Sequence, residues 1–378
     1  MKQDAFRGQP EVWVALMHEL GPSFADRAIH CDADDAYVGE NLAELKARGV
    51  LAAGAPTELG GGGASYTELC EMLRELAHYC GSTALTLSMH THLLAVLVWR
   101  WRRDPGPVES LLRRVVGERL QLVTSGASDW LDSSGVAVQV DDGWRITARK
   151  PFASGSPTGD LLMTTAIDAT SPSDPVILHF ALPLRAAGVT IQDNWRTIGM
   201  RGTGSNDVVI KDAYVPEAAI SMRRPAGKWG TPLYLTSMIP LPLVFGCYLG
   251  IAEAIRDLAV SLVAKRADKS GVCDMIGEME LELACARIAH RDMVEAALTL
   301  EPSREAANRT FIGRTLVGRS VLRVADIAME SVGGSAFYRA NGVERLFRDI
   351  QGARYHRPAG RTQREFSGRL ALGQDVDG

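Results

Sequence analysis

The hydrophobic period of this chain changes twice, and few folds accommodate both changes. Up to about Glu118 apolar residues recur at helical spacing: Tyr66, Leu69, Met72, Leu73 and Leu76 form one stripe. Residues 82–101 are apolar almost throughout, the mark of a helix central to its bundle. At Leu120 alternation takes over. Residues 120–124 and 136–140 alternate, Asp141-Asp142-Gly143 reads as a hairpin turn, and short runs follow at 161–167, 176–182 and 189–193. Beyond the linker 223–230, helical stripes return over 243–265, 272–300 and 310–332, with a break at 302–308. This order predicts an α+β multidomain chain: an N-terminal helical domain over residues 1–119, a middle antiparallel β-barrel or sandwich over 120–222, and a helical domain over 231–378.

A length of 378 residues suffices for two or three cores. The formal charge of −4 gives no whole-chain attraction to nucleic acid or to an anionic membrane. The first ten residues lack the apolar core of a secretory signal, and the longest apolar run, residues 239–252, is 14 residues with two prolines, short for a membrane span. The six cysteines have no CxxC spacing. They read as reduced, mostly buried thiols of a cytoplasmic protein, with neither a metal site nor a disulfide framework.

One stretch organises the rest: NWRTIGMRGTGSNDVVIKDAYVP, residues 194–216. Gly199, Gly202 and Gly204 let the backbone pass close to another group, and Val208-Val209-Ile210 begins a strand. Upstream, the run Gly60–Gly63 is a loop; it lacks the Lys-Ser/Thr that completes a phosphate cradle. Downstream, Gly333-Gly334 ends a helix and is followed by SAFYRANGVERLFRD.

Together these stretches resemble the acyl-CoA dehydrogenase superfamily of flavoproteins. The resemblance covers the glycine-rich segment that closes the middle β-domain, the N-terminal series PTELGGGG and GSTALTLSMH, and the ordered GG…VERLFRD signature. It implies a C-terminal four-helix bundle, a bound flavin (FAD, with FMN as the alternative) and an oligomer, a homotetramer or homodimer. It places Gly333 and Gly334 beside the cofactor of a neighbouring subunit and Arg266 on the cofactor's pyrophosphate. Thr124, Ser125 and Ser128 stand where the family lines flavin and substrate, and Phe152 is a further candidate cofactor contact.

Acyl-CoA dehydrogenation needs a carboxylate to take the α-proton. Most of the family carries it eight residues past the Arg-Asp pair; counting from Asp349 gives Arg357, and a guanidinium cannot act as a base at neutral pH. The first bundle helix, around 238–241, has none either. His356 remains, with an ordinary pKa near 6.5 that suits a base or a hydrogen-bond donor. A histidine at this spacing resembles the reduced-flavin (group D) monooxygenases, where it deprotonates substrate or steadies the oxygen adduct of the flavin. The loop Phe152-Ala153-Ser154-Gly155-Ser156 departs from the dehydrogenase pattern in the same direction, offering the Ser154 and Ser156 hydroxyls to a flavin edge; its other reading is a serine-rich turn. His90 and His92 lie about 200° apart on one helix, so they cannot share a face. Each is read either as a core histidine bonded to backbone or as a side chain in the flavin pocket.

The expectation is a two-component monooxygenase with a small-molecule substrate and a separate flavin reductase. The alternatives are an acyl-CoA or carrier-bound acyl dehydrogenase with an unusual base, and a non-catalytic flavin-binding homologue.

Overall fold

The computed structural model describes residues 11–125, 129–170, 173–264 and 271–377. The N-terminal part holds α1 (Glu11–Ala33), α2 (Gly39–Ala47), α3 (Tyr66–Tyr79), α4 (Gly81–Trp101) and α5 (Glu109–Gly117). Gly49 adopts φ +76° just past α2, a left-handed conformation that stops a helix. α3 starts at a capping box: Ser65 Oγ accepts from the Glu68 amide, and the Glu68 carboxylate accepts from the Ser65 amide.

The middle part is one sheet of β1 (Leu122–Thr124), β2 (Gly135–Val140), β3 (Gly143–Ala153), β4 (Leu161–Asp168), β5 (Val176–Pro183), β6 (Val189–Ile191), β7 (Asn206–Pro216) and β8 (Ile220–Pro225). Its order is β6-β7-β3-β2-β4-β5-β8, with β1 beside β4. The expected all-antiparallel barrel is corrected on two points. β1 and β2 both run parallel to β4, sharing one of its edges, and among the described residues the end strands β6 and β8 do not pair. The sheet instead curls around one apolar cluster that includes Ala137, Ile146, Leu162, Phe180 and Ile210, with β6 and β8 contributing Val189 and Ile220. Alternation tells which side of a strand is buried, but not which strand lies next to it or in which direction.

The C-terminal part holds α6 (Thr231–Met238), α7 (Pro240–Val263), α8 (Val272–Thr299), α9 (Arg304–Val332), α10 (Val343–Ile350) and α11 (Gly360–Ala371). α9 begins inside the expected break, because Ser303 accepts from the Ala306 amide and caps it. The N- and C-terminal helices share one core, from Met17 and Phe24 through Leu73 and Tyr248 to Phe366. Residues 81–101 and 231–263 are long and apolar enough to cross a membrane, but 83% and 89% of their most apolar windows is buried, which makes them core helices. Three of the six cysteines are buried, whereas Cys273 and Cys285 are exposed on α8, against the expectation of mostly buried thiols for these two.

The glycine-rich stretch joins all three parts. The Met200 amide donates to Asp349 Oδ1 at 2.5 Å, reaching α10. Arg201 Nη1 donates to the Asp32 carbonyl, and the Val38 amide to the Gly202 carbonyl, reaching the N-terminal helices. A Cβ on Gly199 would lie 2.1 Å from the Arg348 carbonyl oxygen, so only glycine allows this approach. Gly199→Ala is therefore expected to lower the unfolding free energy by about 2 kcal/mol. Urea denaturation measures it, and a change below about 0.5 kcal/mol would show the loop to be free of α10.

Candidate active site

His356 lies between α10 and α11 and is half-buried. Its Nε2 is 2.6 Å from Tyr248 Oη of α7, and Phe245, one turn earlier on α7, presents its ring edge-on at 6.2 Å. From α9, Arg314 Nη2 donates to the His356 carbonyl, while its guanidinium stacks on Phe245 at 5.3 Å and its Nε is buried without a partner. Burial, then the Arg314 charge, then His92 push the His356 ring down to about 3. It is a neutral imidazole at neutral pH. Burial also holds the Tyr248 phenol well above its usual range.

α4 settles which of its histidines faces this cluster. His90 Nε2 donates to the Leu51 carbonyl at 2.7 Å and its Nδ1 accepts from the Leu122 amide at 3.0 Å, so both ring nitrogens are taken by backbone. His92 points the other way, near enough to His356 to influence it, and its Nδ1 is buried with no hydrogen bond. Burial lowers both rings to about 4.

On the sheet side, β3 carries a bulge between Lys150 and Ala153 in its pairing with β7. Phe152 takes φ +59° there, a conformation unfavourable for an aromatic residue, and half of its surface is exposed with the ring edge-on to Trp195 at 5.7 Å. The next residues latch onto the glycine-rich stretch. Ser154 Oγ and Ser205 Oγ are 2.7 Å apart, the Gly155 amide donates to the Thr203 carbonyl at 2.9 Å, and Ser156 Oγ donates to the Gly204 carbonyl at 3.1 Å.

Thr124 ends β1 and is half-buried. Ser125 is buried, and its hydroxyl donates to Asp129 Oδ2 at 2.5 Å within a network that sequence reading missed. There Lys150 Nζ lies 2.8 Å from both Asp129 oxygens, with Thr164 and Ser134 also bonded to the carboxylate. Burial raises the Asp129 carboxyl, but the Lys150 charge and these donors overcome that and leave it below the usual range. The pair fastens Asp129 to β3. Gly333 and Gly334 have open space where a side chain would stand, beside the exposed Phe337 and Tyr338. Ser128 and Arg266 lie outside the described residues.

Tyr248 and Arg314 were also missed. Tyr248 carried a signal, being the one hydroxyl-bearing residue within the apolar run 239–252. Arg314 carried none, because an arginine on an amphipathic helix ordinarily faces water.

A helical, sheet, helical chain with an imidazole cluster among the helices and a bulged strand in the sheet defines a class of fold, and comparison names it. Residues 19–103 match the acyl-CoA dehydrogenase N-terminal domain and residues 242–366 the acyl-CoA dehydrogenase C-terminal domain. The chain belongs to the acyl-CoA dehydrogenase family. It is 24% identical to the L-evernosamine nitrososynthase of a Micromonospora species, over 96% of this chain and 90% of that protein. It is 25% identical to the dibenzothiophene monooxygenase of Mycolicibacterium goodii, over 94% and 92%. The solved structure of KijD3 in complex with FMN and dTDP-3-amino-2,3,6-trideoxy-4-keto-3-methyl-D-glucose superposes with a TM-score of 0.89, at 23% identity, over 97% and 95% of the two chains.

The neutral, buried histidines set a pH dependence. His90, His92 and His290 are all held near 4 by burial, below the ordinary value of about 6.5. The unfolded chain therefore binds protons more readily than the folded one between those values, and stability falls as pH falls through that window. Each ring contributes a slope of up to about 1.4 kcal/mol per pH unit. The urea midpoint is expected to drop between about pH 7 and about pH 5; an unchanged midpoint would mean that these rings titrate normally.

Proposed function

We infer that this protein is a flavin-dependent monooxygenase that takes reduced flavin from a separate reductase and oxygenates a small organic substrate at carbon or at a heteroatom. One observation carries the reading. Among the described residues, the groups that face His356 are a phenol, a guanidinium and a second imidazole, with no carboxylate. A thioester dehydrogenase requires a base for the α-proton, and an imidazole held near 3 is too weak for that role. The relatives named as a nitrososynthase and a monooxygenase support the same choice, and the FMN in KijD3 supports FMN over FAD as the flavin.

The residues present suit such a ring. The orphaned His92 Nδ1 is a buried polar atom awaiting a partner, and the Ser154–Ser205 hydroxyl pair lies beside the bulge at Phe152. Thr124, Ser125, Phe152, Ser154 and Ser156 form the sheet-side wall. Reduced flavin bound there supplies the electrons that activate dioxygen. The chain's own part is to exclude water with Phe245 and Phe152 and to hold hydrogen-bonding protons at His356 and His92. Arg266 contacts the flavin phosphate, and Gly333-Gly334, with Phe337 84% and Tyr338 70% exposed beside it, meets a second copy of the chain in a homo-oligomer.

The test is oxygen uptake and product formation with reduced FMN, a reductase and candidate amine, sulfur and aromatic substrates. Anaerobic mixing with acyl-CoA is its counterpart. Bleaching of bound flavin by acyl-CoA, with no oxygenated product, would make the protein a dehydrogenase instead. His92→Phe and His356→Ala are each expected to reduce product formation by about a hundredfold while flavin binding persists. Full activity in His92→Phe would remove that residue from the site.

A further inference from the structure

We propose that Tyr248 is the positioning residue that fixes the tautomer of His356, keeping the imidazole proton on Nδ1 so that the ring serves as a hydrogen-bond donor and not as a base. Tyr248 is fully buried in the middle of α7, among Phe245, Cys247 and Leu249, and among the described residues its hydroxyl makes one hydrogen bond, to His356 Nε2 at 2.6 Å. A buried hydroxyl proton left without an acceptor is strongly disfavoured. Were His356 to donate from Nε2, the Tyr248 proton would be left without its acceptor. The phenol therefore donates and Nε2 accepts.

The second step concerns the charge on the ring. Arg314 from α9, Tyr248 from α7 and His92 from α4 are the titratable groups that face His356, and none is an anion. Nothing there favours imidazolium, and a neutral imidazole carries one N–H. With Nε2 occupied by the phenol, that N–H is at Nδ1. Among the described residues Nδ1 has no hydrogen-bond partner, so it is the ring nitrogen left for a ligand. In water a neutral histidine favours the opposite tautomer, so the Tyr248 bond reverses the ring's ordinary preference.

Two neighbours hold the arrangement. Arg314 grips the His356 carbonyl, which fixes the backbone from which the ring hangs. A Cβ on Gly352 would lie 2.7 Å from Tyr248 Oη, so the turn leading to His356 passes directly over the phenol. The catalytic consequence rests on the monooxygenase reading: a donor at Nδ1 steadies negative charge that develops on oxygen, whereas a base there would withdraw a proton. The tautomer itself does not depend on that reading.

The decisive measurement is two-bond 15N–1H correlation NMR on flavin-free protein labelled at histidine, with His356 assigned by its disappearance in His356→Asn. The expected result is a protonated Nδ1 and a lone-pair-bearing Nε2. In Tyr248→Phe the proton is expected to move wholly or partly to Nε2. With reduced FMN and oxygen, the same variant is expected to release hydrogen peroxide and to lose product per oxygen by at least about tenfold, below the full contribution of a positioned proton donor. A wild-type Nε2–H signal overturns the proposal, and it does so even if Tyr248→Phe fails to fold. A tautomer unchanged in Tyr248→Phe also overturns it. If wild type shows Nδ1–H yet never oxygenates a substrate, the monooxygenase reading fails and the tautomer assignment stands.

Discussion

The glycine-rich loop between β6 and β7 is the contact on which the arrangement of this molecule depends. Six consecutive residues, Met200 to Ser205, bond to α10, to the N-terminal helices and to the loop after β3. Such density is possible because side chains are missing where backbones must touch. At Gly199 the obstacle is the Arg348 carbonyl, and at Gly202 it is Val38 and Ser82. The loop also takes left-handed conformations at Met200 and Gly204, φ +55° and +54°. Hydrogen bonds from both sides compensate that strain, which a lone surface turn would relieve by moving. Holding this loop ties the serines after β3 to α10, since it bonds both.

Charge is distributed unequally between the sheet and the helices around His356. The sheet side carries a buried ion pair, Lys150 with Asp129, whose carboxylate takes further hydrogen bonds from Ser125, Ser134 and Thr164. Burying two charges is costly, and a pair of this kind persists where both partners are fully bonded. The helix side carries imidazoles kept neutral by burial and a guanidinium with no anion beside it, pushed down to about 10 by the same burial. A site so arranged, with donors and no free carboxylate, favours negative charge on a ligand over removal of its protons. On the monooxygenase reading proposed above, this distinction separates the chain from the dehydrogenase chemistry of its own family.

Much of this was legible beforehand, for local reasons. The stripe Tyr66 to Leu76 and the run 82–101 become α3 and α4 because helical periodicity needs only neighbours three and four apart. Gly49 stops α2 by its own φ. The absence of a carboxylate near residue 357 was visible in the residues themselves. His90 and His92 could be told to diverge but not which way, because the direction depends on Leu51, Leu122 and His356, all remote in sequence. The strands were legible as strands, while the parallel pairing of β1 and β2 with β4 was not. The Ser125 hydroxyl was visible as a candidate contact, and its engagement by Asp129 emerged only from the fold.

The order of residues by itself determined the three-part layout, the family, the glycine positions and the absence of a carboxylate at Arg357, with His356 beside that position, since each is a matter of local period or of residue identity. Tertiary structure alone decided which histidine of α4 lies near His356, that Tyr248 bonds His356 and that Arg314 backs it. The physical reason is that protonation and donor direction are set by desolvation and by partners within about 3 Å. Tyr248 and His356, 108 positions apart along the chain, become such partners only when α7 and the turn after α10 pack together.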